Sequence, residues 1–427
     1  MRRVANDASP VPLPEPPVEW RLATTVAFRY AFVYFGLYII CTQMISGLVL
    51  LPNWGAPNLG TVPPMSTLVM WVIRHVFDDH RTLAMVGGSG DKMFDWVQAL
   101  CLLLVAAVLT CAWSVVDRRR ANYVRLHRWF RVFLRFALGS TLISYGASKA
   151  IPLQMPAPPL TRLLEPYGNF SPMGVLWYSI GASRPYEMFT GSVELLCGIL
   201  LFIPRTQLLG ASLALAATAQ VFALNMTYDV PVKLFSFHLV MISLTLLIPD
   251  VRRVCQAVFY QRVKWFAAAA QVVFGAYLVG LVLYSSAVQW RSPFGGGAPK
   301  PPLYGIWVID RMTIDSVERE PLITDYERWR RVVIQFPTSI SFWRMDDTFF
   351  SQTAKIDMDA KTISLSPATG THGSSHFQFE QADAEHLILD GEFDGRRTHM
   401  ETHLVDRQRF LLVNRGFHWI QELPFNK

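Results

Sequence analysis

The stretch Gly191–Phe202 reads GSVELLCGILLF. Apart from Glu194, its residues are compatible with the interior of a lipid bilayer. An ionisable side chain near the centre of a membrane helix costs roughly 2.5–3.5 kcal/mol on insertion, so such residues are rare and usually face a partner or a cavity. The stretch therefore predicts a membrane helix whose carboxylate either pairs with another helix or serves a ligand.

Composition divides the chain of 427 residues into two regions. The chain is 52% hydrophobic and only 17% charged, whereas soluble domains are about 25% charged. The excess of apolar residues lies between residues 29 and 285, and after Gly297 the sequence becomes charged, alternating and rich in turn residues. This contrast predicts a membrane region followed by a soluble region.

Seven apolar segments reach or approach the roughly 20 residues that a helix needs to cross a bilayer. They lie near residues 29–51, 94–116, 129–151, 187–203, 206–226, 231–249 and 265–286. The connections between them that are rich in Arg and Lys belong in the cytoplasm by the positive-inside rule. We therefore expect a seven-span α-helical protein of the bacterial inner membrane, with a cytoplasmic N-terminus and a periplasmic C-terminal domain.

Charge and cysteine content exclude two classes of function. The net charge of +7 comes from basic clusters between apolar spans, and no nucleic-acid-binding fold accompanies it. We expect membrane lipid, not nucleic acid, as a partner. The cysteines form no disulfide framework and no CxxC pair, which argues against thiol redox chemistry. They are Cys41, Cys101, Cys111, Cys197 and Cys255.

The soluble region has the two-residue alternation of strands. Residues alternate between apolar and polar, or run apolar, between turn residues in RRVVIQF (330–336), SISFWRM (339–345), KTISLS (361–366), SHFQFE (375–380), HLILDGEF (386–393) and RFLLVNRGFHWIQEL (409–423). Many short strands at this spacing favour an antiparallel sandwich or barrel. The length suits an up-and-down barrel of roughly eight strands, with room for side chains or one small ligand.

These patterns divide the chain into six parts. The predicted parts are a disordered cytoplasmic tail (1–28), two spans with an outer loop (29–128), a four-helix core (129–250), a seventh span (251–290), a linker (291–302) and a periplasmic barrel (303–427). Residues 66–77, STLVMWVIRHVF, suit an interfacial amphipathic helix, and the Pro-, Trp- and Tyr-rich loop 152–186 suits the outer leaflet. Ordinary loop packing is an equal alternative for both.

The four-helix core resembles the DoxX family of membrane proteins. The resemblance rests on RFALGSTLISYGASKAIP (135–152), GSVELLCGILLFIPRTQLLGA (191–211) and NMTYDVPVKLFSFHLVM (225–241), within residues 131–250. It implies a role beside membrane redox systems, where one relative is a subunit of a thiosulfate:quinone oxidoreductase.

The C-terminal domain resembles the lipocalin-like barrels. The resemblance rests on LYGIWVID (303–310), which supplies the Gly-x-Trp of a first strand as Gly305 and Trp307. It implies that Arg415 lies over Trp307 as a cation–π partner.

Depth arithmetic brings six polar residues of the core to similar levels. With a rise of 1.5 Å per residue, Glu194, His238 and Gln220 are expected roughly 10 Å below the outer boundary. Lys149, Asn225 and Lys233 are expected nearer the rim. Helix bundles build ligand sites from facing helices in this way, so these residues form the candidate site.

Two interpretations of the cluster stay open. A buried Lys–Glu pair can simply fix helix register, and interhelical polar contacts are commonly worth under about 1 kcal/mol. A carboxylate, an imidazole and an ammonium at one depth can also bind a polar headgroup and exchange protons. The carbonyl oxygens of a quinone need such donors, and His238 is the natural proton carrier at neutral pH.

The sequence also contains a weaker metal signal. His399, Glu401 and His403 in THMETH alternate, so a strand would place them on one face, where they could ligate a divalent metal. Polar residues on the solvent face of a barrel are far commoner, and we predict no metal. No Ser/His/Asp nucleophile signature is readable.

Two functional hypotheses follow. In the first, the chain is an accessory membrane subunit that binds a quinone or similar lipid at Glu194, His238 and Lys149 and serves a periplasmic oxidoreductase. No haem, flavin or iron–sulfur ligand set is readable, so no intrinsic cofactor is expected and enzyme activity is left open. In the second, the chain is a binding or transport protein whose outer barrel captures an apolar ligand that the helices anchor or accept.

Overall fold

The computed structural model describes residues 19–51, 54–55, 58–81, 83–158, 162, 165–251, 265–292, 297–367 and 375–427. They belong to two compact units. The first, here the helical unit, combines the chain up to Tyr260 with Phe410–Lys427, and the second, the barrel unit, is Gln261–Arg409. The predicted disordered tail falls outside the described residues up to position 18, as do the basic connection after Val251 and the centre of the predicted linker.

Nine α-helices of the helical unit precede residue 260 in the described part of the chain. They are α1 (Leu22–Ile40), α2 (Met44–Leu48), α3 (Met65–Val76), α4 (Met93–Val116), α5 (Val124–Ala150), α6 (Pro172–Gly181), α7 (Arg184–Phe202), α8 (Gln207–Thr227) and α9 (Lys233–Leu247). The barrel unit begins with α10 (Trp265–Trp290), and the C-terminal segment contains the single turn α11 (Leu411–Asn414). Three-residue 3-10 turns and the two-residue strands Leu50–Leu51 and Trp54–Gly55 complete the helical unit.

Several helices have the length and composition of membrane spans. Five qualify among the described residues, namely α1, α4, α7, α8 and the run Lys233–Asp250. The 27-residue α5 carries several arginines in its first half, and α10 contains the shorter apolar stretch Val272–Leu281. The prediction of several long apolar helices is confirmed, and seven spans across a membrane stay a prediction. The predicted first span, 29–51, does not match α1, which begins at Leu22 and ends at Ile40. Apolar composition continues past the turn at Cys41–Gln43 into α2, so composition alone does not show where α1 ends.

Glycines bring α5 and α7 into backbone contact. A Cβ added to Gly146 would lie 2.7 Å from the Gly191 carbonyl oxygen, and one added to Gly198 would lie 2.7 Å from the Gly139 carbonyl oxygen. Each helix repeats its glycine after seven residues, which is two helical turns, so both contacts fall on one face. Small residues allow this close approach between membrane helices.

The barrel unit contains a closed eight-stranded antiparallel barrel, as the two-residue alternation predicts. Its strands are β1 (Gly305–Ile314), β2 (Trp329–Phe336), β3 (Ser339–Arg344), β4 (Phe349–Asp357), β5 (Thr362–Pro367), β6 (Ser375–Gln381), β7 (His386–Phe393) and β8 (Arg396–Leu404). Neighbours in sequence pair with each other, and β8 pairs with β1 to close the barrel. The two-residue strand Val317–Glu318 pairs antiparallel with the end of β1, at Thr313 and Ile314. Alternate side chains such as Trp307, Phe342 and Phe377 are buried in the interior.

The sequence prediction for residues 409–423 is wrong. The barrel closes with β8, so no strand edge remains for another barrel strand, and Phe410–Lys427 packs within the helical unit instead. Arg415 therefore does not cover Trp307. Its guanidinium carbon lies 4.4 Å from the ring centroid of Phe425, while the Trp307 indole donates a 3.0 Å hydrogen bond to the Leu303 carbonyl.

Candidate ligand-binding site

The glycine contact between α5 and α7 positions an ion pair. Lys149 lies three residues after Gly146, and Glu194 lies three residues after Gly191, so each charge stands one turn from the crossing. Lys149 Nζ donates to Glu194 Oε1 at 2.5 Å. Both residues are buried, with exposed fractions of 7% and 6%. The contact that depth alone could not establish is therefore present.

The ion pair lines a cavity of about 140 Å³ in the helical unit. Two more of the predicted site residues, Gln220 and Asn225 on α8, line the same cavity. The walls are mostly apolar or aromatic and include Leu142, Tyr145, Met155, Leu176, Trp177, Ile180, Tyr186, Leu224, Val232, Phe235 and Leu239. A mostly apolar pocket with a few convergent polar groups is the usual form of a small-molecule site.

Glu194 has one oxygen without a protein partner. Its Oε2 atom is buried, and no hydrogen-bond partner for it exists among the described residues. A buried polar atom left unpaired costs about 1–3 kcal/mol, and more when the group is charged. The carboxyl group therefore has one hydrogen-bonding position that a bound polar group would satisfy.

The two α8 residues contribute differently. Asn225 is buried, and its amide nitrogen donates to Ser236 Oγ at 3.0 Å, which fixes its orientation on the α9 side of the cavity. Gln220 also lines the cavity but its side chain is exposed. Tyr186 on α7 combines the same two properties. The cavity thus extends to the outer surface of the helices, where an elongated ligand could leave it.

His238 lies on another side of α9. Its Nε2 atom is 2.6 Å from the Tyr34 hydroxyl, and its ring stacks on Tyr38 with centroids 3.7 Å apart. Nδ1 lies 2.7 Å from the Leu234 carbonyl, which can only accept, so the neutral ring carries its proton on Nδ1 and accepts from Tyr34. The structure joins His238 to α1, not to the Glu194 cavity.

Lys233 belongs to a second charged cluster. Its Nζ atom lies 3.1 Å from Asp229 Oδ1 and 3.6 Å from Asp91 Oδ2. Asp91 also accepts from the backbone nitrogens of Lys233 and Leu234 at 2.9 Å each, so it caps α9 from a distant part of the chain. Burial raises the pKa of Asp91 above its ordinary value of 3.8. Lys233 and Asp91 are thus structural partners at the start of α9.

A larger cavity, with more polar side chains in its lining, adjoins the first. It has a volume of about 640 Å³, and its lining includes Gln43, Thr42, Lys92 and Gln98. Tyr145 lines both cavities and accepts a 3.0 Å hydrogen bond from the Gln43 amide. Tyr145 therefore stands between the two cavities.

Sequence reasoning missed several residues of these sites. Asp229 lies within the quoted stretch NMTYDVPVKLF, four residues before Lys233, and this spacing could have indicated the pair. The glycine spacing of seven on two helices could have indicated the α5–α7 crossing. Asp91 and Tyr145 gave no sequence signal, because their partners come from distant segments.

The barrel unit has weaker candidates for a ligand or metal site. Its interior is filled by apolar side chains, and a cavity of about 200 Å³ lies where Trp329, Phe350 and Phe393 meet. His399 pairs with Asp390 at 2.9 Å and His403 with Asp310 at 2.8 Å. Within the described part of the chain, no group of three or more His, Cys, Asp or Glu side chains is arranged to hold a metal ion.

Comparison with known proteins gives one relative. No family model matches the chain, and no solved structure matches it. The uncharacterized protein YwoB of Bacillus subtilis (strain 168) is 32% identical over 143 residues. The aligned stretch covers 34% of this chain and 88% of the relative.

Proposed function

We propose a function for this chain from the chemistry of its cavity. The chain belongs to the same family as YwoB. It is a protein of the bacterial inner membrane that binds the headgroup of a quinone, or of a similar amphiphilic lipid, between Lys149 and Glu194. In this role it is an accessory subunit of a periplasmic oxidoreductase system. The single observation that carries the proposal is the buried Glu194 oxygen that has no partner within the described residues.

The cavity has the size of one ring. Its volume is about 140 Å³, and an engineered protein cavity of about 150 Å³ binds benzene. The apolar and aromatic walls suit a ring and the first part of an apolar tail. Gln220 and Tyr186, which line the cavity and are exposed, mark the side on which a longer tail would continue.

The polar groups suit a carbonyl or hydroxyl oxygen. The Lys149 ammonium has three donor hydrogens, of which one serves Glu194 Oε1 at 2.5 Å. A protonated Glu194 would donate through Oε2, and an ionised one would accept there from a quinol hydroxyl. The pair can therefore hold either redox form of a quinone headgroup, whereas electrons would come from a partner protein.

The resemblance to DoxX proteins supports the same assignment, since it implies a role beside membrane redox systems. The alternative, capture of an apolar ligand by the barrel, has less support because the barrel cavity of about 200 Å³ is lined partly by charged side chains, among them Glu327, Arg344 and Arg396.

The test is the content of the purified protein. Full-length wild type and Glu194→Gln would be purified in mild detergent, extracted with organic solvent and analysed by mass spectrometry. Glu187→Gln is the matched control, because Glu187 is an equally buried glutamate of α7 outside the cavity lining. Its Oε1 accepts from Met155 N at 2.9 Å, as a glutamine carbonyl also can.

We expect about one quinone per chain in wild type and in Glu187→Gln, and at least tenfold less in Glu194→Gln. If another amphiphile were retained by wild type and Glu187→Gln and lost from Glu194→Gln, the binding site would be supported and the quinone would be replaced by that ligand. Bulk phospholipid alone in all three proteins would overturn the proposal and leave Lys149–Glu194 as a structural pair.

A further inference from the structure

The C-terminal segment returns to the helical unit. After the barrel strands end at Leu404, residues Phe410–Lys427 pack among the helices. Gln421 N donates to the Asp91 carbonyl at 2.9 Å, and the two residues form an antiparallel bridge. Ser89 N donates to the Glu422 carbonyl at 3.1 Å. The segment thus pairs its backbone with the loop that precedes α4.

A buried carboxylate holds this segment. Asp229 is only 5% exposed, and its Oδ1 atom accepts from the backbone nitrogen of His418 and from the Gln421 amide, each at 2.9 Å. Its Oδ2 atom lies 3.0 Å from His418 Nδ1 and 3.1 Å from the Arg415 guanidinium. Hydrogen bonds to a charged group are worth about 1.5–3 kcal/mol each, so Asp229 dominates this contact.

The segment also meets the starts of two helices. Glu422 Oε1 accepts from Met93 N at 3.2 Å at the beginning of α4. The Lys427 carbonyl oxygen accepts from Ser171 N at 2.8 Å at the beginning of α6. Helix α6 supplies Leu176 and Trp177 to the wall of the Glu194 cavity. The segment therefore connects the α6 wall with the turn before α9, which supplies Val232 to the opposite wall.

The contact has the properties of a reversible one. Apart from the single turn Leu411–Asn414 and the bridge at Gln421, the segment has no helix or strand. Side chains near the Asp229 contact stay open to solvent, with exposed fractions of 44% for His418 and 55% for Trp419. Few buried apolar contacts and many polar ones are the features of segments that open locally below the global unfolding free energy.

We propose that Asp91, Asp229 and Ser171 form a docking face whose occupant is the chain's own C-terminal segment, and that undocking of this segment opens the Glu194 cavity. The occupant is given by charge complementarity, since the Arg415 guanidinium meets the buried Asp229 carboxylate, to which His418 adds hydrogen bonds. The proposal goes beyond ligand binding and does not depend on the identity of the ligand.

The experiment measures access to the cavity. Thr190, a half-buried residue of α7 that lines the cavity, would be replaced by cysteine after the native cysteines are changed to serine or alanine. The rate of modification by N-ethylmaleimide would be measured in the full chain, alone and combined with Asp229→Asn or Arg415→Ala. Asparagine keeps the left-handed backbone conformation of Asp229, whose φ is 52°. Arg409→Ala, at an exposed arginine of the barrel unit, is the matched control.

We expect at least fivefold faster modification with Asp229→Asn and with Arg415→Ala, and no change with Arg409→Ala. Hydrogen exchange gives the second readout, in which amides of residues 415–423 should exchange faster while those of α5 stay protected. Unchanged exchange in 415–423 would overturn the docking face. Faster exchange there without faster modification would overturn the opening of the cavity.

If Asp229→Asn also accelerates hydrogen exchange in α5, the result for Arg415→Ala is the one that tests the proposal, because this variant leaves the Asp229–Lys233 pair in place. The quinone content is not measured here, so this test and the test of ligand binding can fail separately.

Discussion

Gly191 lies so close to α5 that a Cβ added to it would stand 2.7 Å from Lys149 Cβ and 2.4 Å from the backbone nitrogen of Ala150. One turn further along α7, Glu194 reaches the Lys149 ammonium at 2.5 Å. The ion pair therefore depends on the close approach of two backbones as much as on its own charges.

Gly191→Ala should destabilise the helical unit and empty its cavity. The atoms nearest the new methyl group are backbone atoms of α5, which cannot move aside, and overpacking of this kind costs about 1–3 kcal/mol. Thermal unfolding in detergent and ligand content would measure both effects. The control is Gly36→Ala on α1, where no heavy atom lies within 4 Å of the added Cβ. Equal behaviour of the two variants would contradict the prediction.

The ion pair itself should show strong coupling. Removing one partner of a buried pair costs about 3–5 kcal/mol, whereas replacing both by apolar residues is often neutral. Lys149→Met should therefore lower the unfolding temperature more than the double variant Lys149→Met/Glu194→Leu. Additive losses in this cycle, measured by unfolding in detergent, would show that the two side chains do not stabilise each other.

The rise along each helix predicted which residues lie at the depth of the cavity. The rotation of each helix determines which of those residues face the cavity. Depth placed Glu194 and Gln220 at one level, and both line the cavity. On α9, however, the cavity is lined by Phe235, Ser236 and Leu239, a stripe with helical spacing that Val232 continues just before the helix. His238 lies about 100° around the helix from the middle of this stripe and faces α1 instead. The partner on that face could not be known from the sequence, because packing against α1 is a tertiary contact.

Tyr34→Phe tests this placement of His238. The change removes the 2.6 Å hydrogen bond and leaves a buried imidazole nitrogen unpaired, which costs about 1–3 kcal/mol. The ligand content should stay at the wild-type level, since neither residue lines the Glu194 cavity. Tyr30→Phe is the control, because its hydroxyl makes only a 3.4 Å contact with the Leu103 carbonyl. Loss of ligand in Tyr34→Phe but not in Tyr30→Phe would show that His238 contributes to ligand binding.

Alternation of residues predicted the barrel but not its last strand. A two-residue period indicates which side chains of a strand share a face. It does not indicate which neighbouring strand forms the backbone hydrogen bonds. Apolar residues recur through 409–423, yet β8 already closes the barrel on β1. Residues such as Gln421 therefore bond elsewhere, to Asp91 and Asp229.

Arg328 should be essential for barrel stability. It is 1% exposed, and its guanidinium donates to the carbonyls of Arg319 and Ile309 at 3.0 Å each and to that of Trp329. Arg328→Met would leave these carbonyls without that donor, at about 1–3 kcal/mol for each one that stays buried and unpaired.

Hydrogen exchange of β1 and β2 should accelerate at least tenfold in Arg328→Met. The control is Arg330→Met, which removes an exposed pair with Asp347 worth about 0–1 kcal/mol. Similar exchange in the two variants would assign no special role to the buried guanidinium.

Docking of the C-terminal segment should weaken in acid through Asp229. Burial pushes the pKa of this carboxyl upward, but hydrogen bonds from His418 and contacts with Lys233 outweigh it and bring the pKa below the ordinary value of 3.8. The Arg415 guanidinium also lies at this carboxylate, and Asp91 contacts the other side of Lys233. A lowered folded-state pKa gives stability that is complete above the unfolded value and disappears as the pH falls through the folded one.

The measurement is hydrogen exchange of residues 415–423 in wild type and Asp229→Asn between about pH 3 and 7, corrected for the intrinsic rate. The raised pKa of Asp91 acts with the opposite sign, but it is present in both proteins and cancels in their difference. We expect the extra protection in wild type to be constant from about pH 5 to 7 and to shrink below about pH 4. A difference that shrinks between about pH 5 and 7 instead would contradict the assignment of this pH dependence to Asp229.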